Sequence, residues 1–134
     1  MARTRNEPVA TTVTRDTVDQ LVSELNTLDG ITWVRDAWEN KAPDNYGVVE
    51  VNGAPVNMWA DNVLISQVFQ LTAHAYVNGN RDDLVALVQA KLAAKCDSYV
   101  LAGHEFAYDI GKNHWWWNCQ VIGPLQWEDV DTNG

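Results

Sequence analysis

The feature that most constrains the fold is a long run of alternating side chains in the middle of the chain. Over residues 65–77, apolar and polar residues alternate almost without a break. This period of two is typical of a β-strand with one buried face. A strand of that length reaches about 43 Å, whereas the radius of gyration of a domain of this size is about 14 Å. The strand must therefore cross the molecule, bend or project. Its predicted inward residues are Phe69, Leu71, Ala73, Ala75 and Val77.

Apolar residues at helical spacing occur on both sides of this strand. The pattern predicts one helix over residues 16–29 and a second over residues 81–95. Asn80 is the expected N-cap of the second helix, because its side chain can accept a hydrogen bond from a free backbone N–H. The predicted buried stripe of the second helix is Leu84, Leu87, Val88 and Leu92.

Shorter segments rich in β-forming residues account for the remaining strands. We expect Asn52-Gly53 to join residues 46–51 and 56–59 in a hairpin, because Asn-Gly favours tight hairpin turns. The order α-β-β-β-α-β-β predicts an α+β fold, in which an antiparallel sheet of four to five strands packs against two helices. The predicted organisation is an extended arm over 1–14, a single domain over 15–124 and an acidic tail over 125–134. Further strands are expected over 31–38, 99–110 and 114–122.

The charge balance restricts the partners of the chain. Among its 134 residues, 18 Asp and Glu oppose nine Lys and Arg, a net charge of −9. An acidic protein binds nucleic acid poorly, because that affinity comes mostly from neutralised phosphates. Residues 1–15, which hold Arg3, Arg5 and Arg15 against Glu7, carry a local charge of +2, so the first segment of the chain is basic. No apolar run suggests a membrane span or a secretory signal.

The sequence contains no recognisable catalytic or metal-binding motif. His74, His104 and His114 lie on three different predicted strands, and no Cys-x-x-Cys or His-x-x-x-His pattern is present. Glu105 and Asp109 share one side of a predicted strand but lie about 13 Å apart, too far for an acid–base pair. We therefore expect no enzymatic activity, no cofactor and no metal. Cys96 and Cys119 are expected to be buried, reduced thiols.

Seven tryptophans exceed what the core of one small domain needs. In the triplet 115–117, neighbouring side chains point to opposite faces of a strand, so Trp116 is expected to point outward when its neighbours point inward. Two explanations for Trp116 remain open: the chain's own arm or tail covers it, or it anchors a protein interface. The same alternatives apply to Trp59 and Trp127.

The chain resembles the small tail-completion, or tail-terminator, proteins of long-tailed bacteriophages. The resemblance rests on the Tyr46-Gly47-Val48-Val49 strand, on Ala60-Asp61-Asn62, on the long alternating strand and on the polar turn 78–83. It covers about residues 15–122. The basic arm and the tryptophan triplet are not part of the pattern.

The resemblance implies a structural role in the virion. Members of that family form a hexameric ring at the head-proximal end of the tail and join the tail tube to the head connector. The expected partners are thus further copies of the chain, the tail-tube protein, the connector or stopper protein and DNA passing through the ring. Assembly is expected in the host cytoplasm. Glu105 and Asp109 would face the DNA channel, while Arg3, Arg5, Trp59, Trp116 and Trp127 would lie in interfaces. The alternatives are another head–tail connector or minor tail protein, or a small ligand-binding or enzymatic α+β domain.

Overall fold

The computed structural model describes residues 17–39 and 41–123, which form two helices and a six-stranded, mostly antiparallel sheet. This confirms the α+β class. The predicted arm and tail lie outside the described residues. Residues 17–25 are helical (α1), and Asp82–Lys95 form α2. The strands are β1 (Thr32–Arg35), β2 (Tyr46–Val51), β3 (Val56–Ala60), β4 (Val63–Val77), β5 (Ser98–Ala107) and β6 (Lys112–Gly123).

The long strand β4 is the centre of the sheet, whose strand order is β1-β2-β4-β6-β5. On one side, β4 pairs first with β3 along Val63–Val68 and then with β2 along Leu71–Tyr76. On the other side it pairs with β6 along Gln67–Val77. Among the described strands, residues 63–66 therefore pair with β3 alone. The long strand was predicted to cross the molecule, bend or project. The structure shows that it projects, because its first residues extend beyond β2 and β6.

The sheet has one strand more than the predicted order, and β1 pairs with β2 in parallel. The predicted hairpin between β2 and β3 is wrong, because β3 pairs with β4 instead. The turn lies at Asp61 and Asn62, whose φ angles are 53° and 67°. Two consecutive left-handed residues define a type I′ turn, whose twist matches that of the flanking strands, and Asp and Asn tolerate this conformation. Asn52-Gly53 instead lies in the loop between β2 and β3, which both pair with β4.

Both helices pack on one face of the sheet, called here the inner face. The predicted inward residues of β4, from Phe69 to Val77, are at most 1% exposed. Trp117 is fully buried there, and its indole Nε1–H donates to Gln89 Oε1 of α2 at 3.1 Å. Neither described helix has an apolar stretch long enough to cross a membrane. The core also contains Val18, Leu21, Leu25, Trp33, Val49, Leu84, Val88, Leu92, Cys119 and Val121.

Several predicted details of the two helices are wrong. Leu87 is exposed, and Val85 occupies the buried position in its place. The N-cap of α2 is Arg81, whose side chain makes no capping hydrogen bond, so Asn80 does not cap the helix. The first helix ends at residue 25, and the side chain of Asn26 pairs with the backbone N–H and C=O of Trp33, at 2.8 and 3.0 Å.

Close packing at Gly47 gives a test of the inner face. A Cβ atom at this position would lie 2.3 Å from the Trp33 ring. We expect Gly47→Ala to lower the free energy of unfolding by about 1–3 kcal/mol, because a buried indole would have to move. Urea unfolding followed by tryptophan fluorescence measures the change. Thr32→Ala, at an exposed position on the adjacent strand, should change stability by less than about 0.5 kcal/mol. Equal stability of Gly47→Ala and the parent would contradict the packing described.

Candidate functional site

A row of aromatic side chains crosses the outer face of the sheet, opposite the helices. The register aligns Tyr46 of β2 with Tyr76 of β4 and His114 of β6. The Tyr46 and Tyr76 rings stack with centroids 4.8 Å apart, and Tyr76 stacks on His114 at 4.3 Å. Trp38 meets Tyr46 edge-on at 6.1 Å, and Trp116 lies 4.6 Å from His114. These five residues are called the aromatic row.

Two histidines on this face form a hydrogen-bonded pair. His74 Nδ1 and His114 Nε2 are 2.9 Å apart, and His74 Nε2 lies 3.3 Å from Glu50 Oε1. Two neutral rings satisfy both contacts if each carries its proton on Nε2: His114 then donates to His74, and His74 donates to Glu50. His114 Nδ1 faces Glu105 Oε2 at 4.0 Å, beyond hydrogen-bond distance.

Burial and neighbouring charges shift the titration of this face. Burial, followed by the charges of His74 and His104, lowers the pKa of His114 to about 4. Burial also raises the pKa of Tyr46, with a contribution from Asp109. The pKa of Tyr76 is raised by burial and then by Tyr46, Glu50, Asp109 and Glu105. Near neutral pH the aromatic row is therefore uncharged, with three carboxylates close to it.

Trp116 lies on the outer face, as its place in the triplet predicts, and is partly buried. Its ring covers Gly103 of β5, where a Cβ atom would lie 2.2 Å from Trp116 Cζ2. Part of the cover over Trp116 thus comes from the neighbouring strand, which neither sequence-based explanation included. Trp115 points to the inner face and stacks on His104 at 3.8 Å.

The first apolar surface is the hairpin ribbon, defined as β3, the turn 61–62 and residues 63–66 of β4. Trp59 is 59% exposed, and four further apolar side chains of the ribbon are 46–56% exposed. The pairing skips Ile65 of β4 at the register shift between Met58 and Trp59. Exposed apolar residues grouped in this way are typical of interaction surfaces. The other four are Val56, Met58, Val63 and Ile65.

The second apolar surface is the β5 edge, at the opposite side of the sheet from β3. β5 is ten residues long and pairs only with β6 among the described strands. A long edge strand offers unpaired backbone groups to another chain. A register shift between Leu101 and Gly103 interrupts the edge. Its exposed apolar side chains, together with those of the adjoining turn, are Tyr99, Val100, Leu101, Phe106, Tyr108 and Ile110.

The predicted acidic pair is only partly on a strand. Glu105 lies on β5, and its side chain is 64% exposed. Asp109 lies in the turn between β5 and β6, since β5 ends at Ala107 instead of Ile110. Both affect the titration of Tyr76 and therefore lie near the aromatic row. Arg3, Arg5 and Trp127 fall outside the described residues.

Sequence reasoning missed two side-chain pairs. The His74–His114 pair depends on the register of β4 and β6, which local patterns do not reveal. Cys96 and Cys119 are free and hydrogen-bonded to each other, which lowers the pKa of Cys96 and raises that of Cys119. Within residues 17–39 and 41–123, no three His, Cys, Asp or Glu side chains are grouped so as to hold a metal ion.

Neither the protein-family models nor the curated proteins contain a match to the chain.

The histidine pair predicts a pH dependence of stability. His114 binds its proton near pH 4 when folded and near 6.5 when unfolded, so the unfolded state holds more protons between these values. The contribution of neutral His114 to the free energy of unfolding is complete above about pH 6.5. It is lost as the pH falls towards 4, by at most ~1.4 kcal/mol per pH unit. Urea unfolding at several pH values measures it. His114→Gln should show a shallower slope than the parent, and an identical slope would contradict the assignment.

Proposed function

We propose that the chain is a structural subunit of a phage virion, a tail terminator that forms a ring at the head-proximal end of the tail. One observation carries the proposal: a single sheet presents two different exposed apolar surfaces, the hairpin ribbon and the β5 edge, on opposite sides of β4. The family resemblance supplies the position in the virion and the sixfold symmetry.

Two unlike surfaces on one subunit support a head-to-tail interface. When surface A of one copy binds surface B of the next, the repeated contact closes into a ring if the rotation between copies allows it. The ribbon and the β5 edge supply such a pair. Trp59 is a suitable anchor, since buried tryptophans contribute strongly to binding energy at interfaces. Trp116, beside Gly103 of β5, belongs to the side that would receive the ribbon.

The acidic residues suit a ring through which DNA passes. Glu105 and Asp109 would face the channel, where negative charge keeps phosphates from binding to the wall. The net charge of −9 agrees with this role. The tail-tube protein and the head connector or stopper would bind at the two ends of the ring. The subunit would assemble in the host cytoplasm and remain at the head–tail junction of the virion.

The ribbon gives the main test of assembly. We expect Trp59→Ala to weaken self-association by about 2 kcal/mol or more, roughly thirtyfold, because the substitution removes an interface anchor. Its monomer should unfold within about 0.5 kcal/mol of the parent, since Trp59 is 59% exposed. Sedimentation velocity and mass photometry of the full chain, alone and with tail-tube protein, measure the change.

Leu87→Ala is the matched control, because Leu87 is 50% exposed but lies on α2. It should assemble like the parent. A parent chain that stays monomeric even with tail-tube protein would refute the ring. Labelled protein found in virions away from the head–tail junction would instead favour another connector or a minor tail protein.

A further inference from the structure

A shallow depression lies on the outer face of the sheet beside the edge strand β1. It has a volume of about 430 Å³. Three aromatic rings of the row form part of its wall, and His74 lies next to them. No described element packs over this part of the sheet, because both helices lie on the inner face. The lining residues are Asp36, Ala37, Trp38, Tyr46, Val48, Glu50, His74 and Tyr76.

The charges that face the depression are mainly negative. The Glu50 side chain is 57% exposed and contacts His74. Asp36 lies 3.7 Å from Arg35 Nε, but Arg35 also contacts Asp19, at 3.3 Å. Carboxylates beside aromatic rings form a site that suits a guanidinium group, which stacks on rings and donates bidentate hydrogen bonds to carboxylates.

Most basic side chains in the described part of the chain already have partners. Arg35 and Arg81 contact aspartates, and Lys91 and Lys95 share Glu24. Lys112 donates to Asp44 O and Asn78 Oδ1, at 2.7 and 3.0 Å. Of the chain's nine Lys and Arg, three precede the described residues. These are Arg3, Arg5 and Arg15. The first segment of the chain thus offers the complementary charge.

The position of Thr17 favours an arm from another copy. Thr17 is buried against Gly123, at the end of β6 furthest from His114. His114 and Gly123 are about 30 Å apart along the strand. Fully extended, the segment from Arg3 to Thr17 reaches at most about 50 Å. To enter its own depression, it would have to run along the sheet, cross three strand spacings and pass around an edge. That route uses nearly the full reach of the segment, which favours an arm from an adjacent copy.

We propose that the depression beside β1 receives Arg3 and Arg5 from the N-terminal arm of a neighbouring copy of the chain. The guanidinium groups contact Glu50 and Asp36 and pack against the rings of Trp38 and Tyr46. This contact locks one subunit to the next. The inference rests on the self-assembly proposed above.

Charge reversal on each side tests the contact in the full chain. Arg3→Glu/Arg5→Glu and, separately, Glu50→Lys should each raise the dissociation constant for self-association about ten- to a hundredfold at low salt. Mixing the two variants should restore assembly, because each reversed arm then meets a reversed depression and each parent arm meets a parent one. Sedimentation velocity and mass photometry provide the readout.

The matched control is Asp29→Lys, an equal change of charge at an exposed position in the turn after α1. It should assemble like the parent. Thermal unfolding checks that Glu50→Lys remains folded, and Glu50→Gln provides a milder variant that should weaken assembly less.

The outcomes separate this inference from the ring itself. A parent chain that never associates refutes the proposed function. If the parent assembles and the arm variant assembles equally well, the inference alone is overturned. A third protein combines Arg3→Glu, Arg5→Glu and Glu50→Lys in one chain. If this combined variant assembles but the mixture of the two separate variants does not, the arm binds within its own subunit and the neighbour contact is refuted. If Glu50→Lys impairs only binding of tail-tube protein, another partner occupies the depression.

Discussion

The pairing of β4 with three other strands is the constraint on which the rest of the structure depends. β6 follows one side of β4, while β2 and β3 share the other side in succession. Since β4 is 15 residues long, it extends past β6 and carries the hairpin ribbon with it. The same alternation buries Phe69 and Ala75 under the helices and places His74 and Tyr76 on the opposite face. A shift of this register by one residue would move every side chain of β4 to the wrong face.

Both helices pack on the inner face, and this explains why the stacked aromatic rings and the paired histidines lie on the outer face. That face has no apolar layer above it among the described residues, so it carries polar groups and aromatic rings that satisfy one another. Stacking and the His74–His114 hydrogen bond stabilise a neutral row beside Glu50, Glu105 and Asp109. Protonation of His114 would place a charge in a partly buried row, and this explains its low pKa.

The proposed ring and the proposed arm contact use different forces. The ribbon and the β5 edge would bury apolar surface, which gives binding energy with little dependence on salt. The arm would add contacts between opposite charges, which are screened by salt and favour a particular orientation of the neighbouring copy. A subunit with a net charge of −9 would have to overcome repulsion between copies, and the proposed contact of Arg3 and Arg5 would offset part of it.

The sequence by itself determined the α+β class, the inward face of β4, the second helix and the outward direction of Trp116. Each of these follows from a local period, which is visible in the order of residues. Only the tertiary structure decided that β3 pairs with β4 and that His74 meets His114. It also showed that Gly103 lies under Trp116 and that Asp109 lies in a turn. Such features depend on which distant strands pair and in what register, and many registers satisfy the same alternation of apolar and polar side chains.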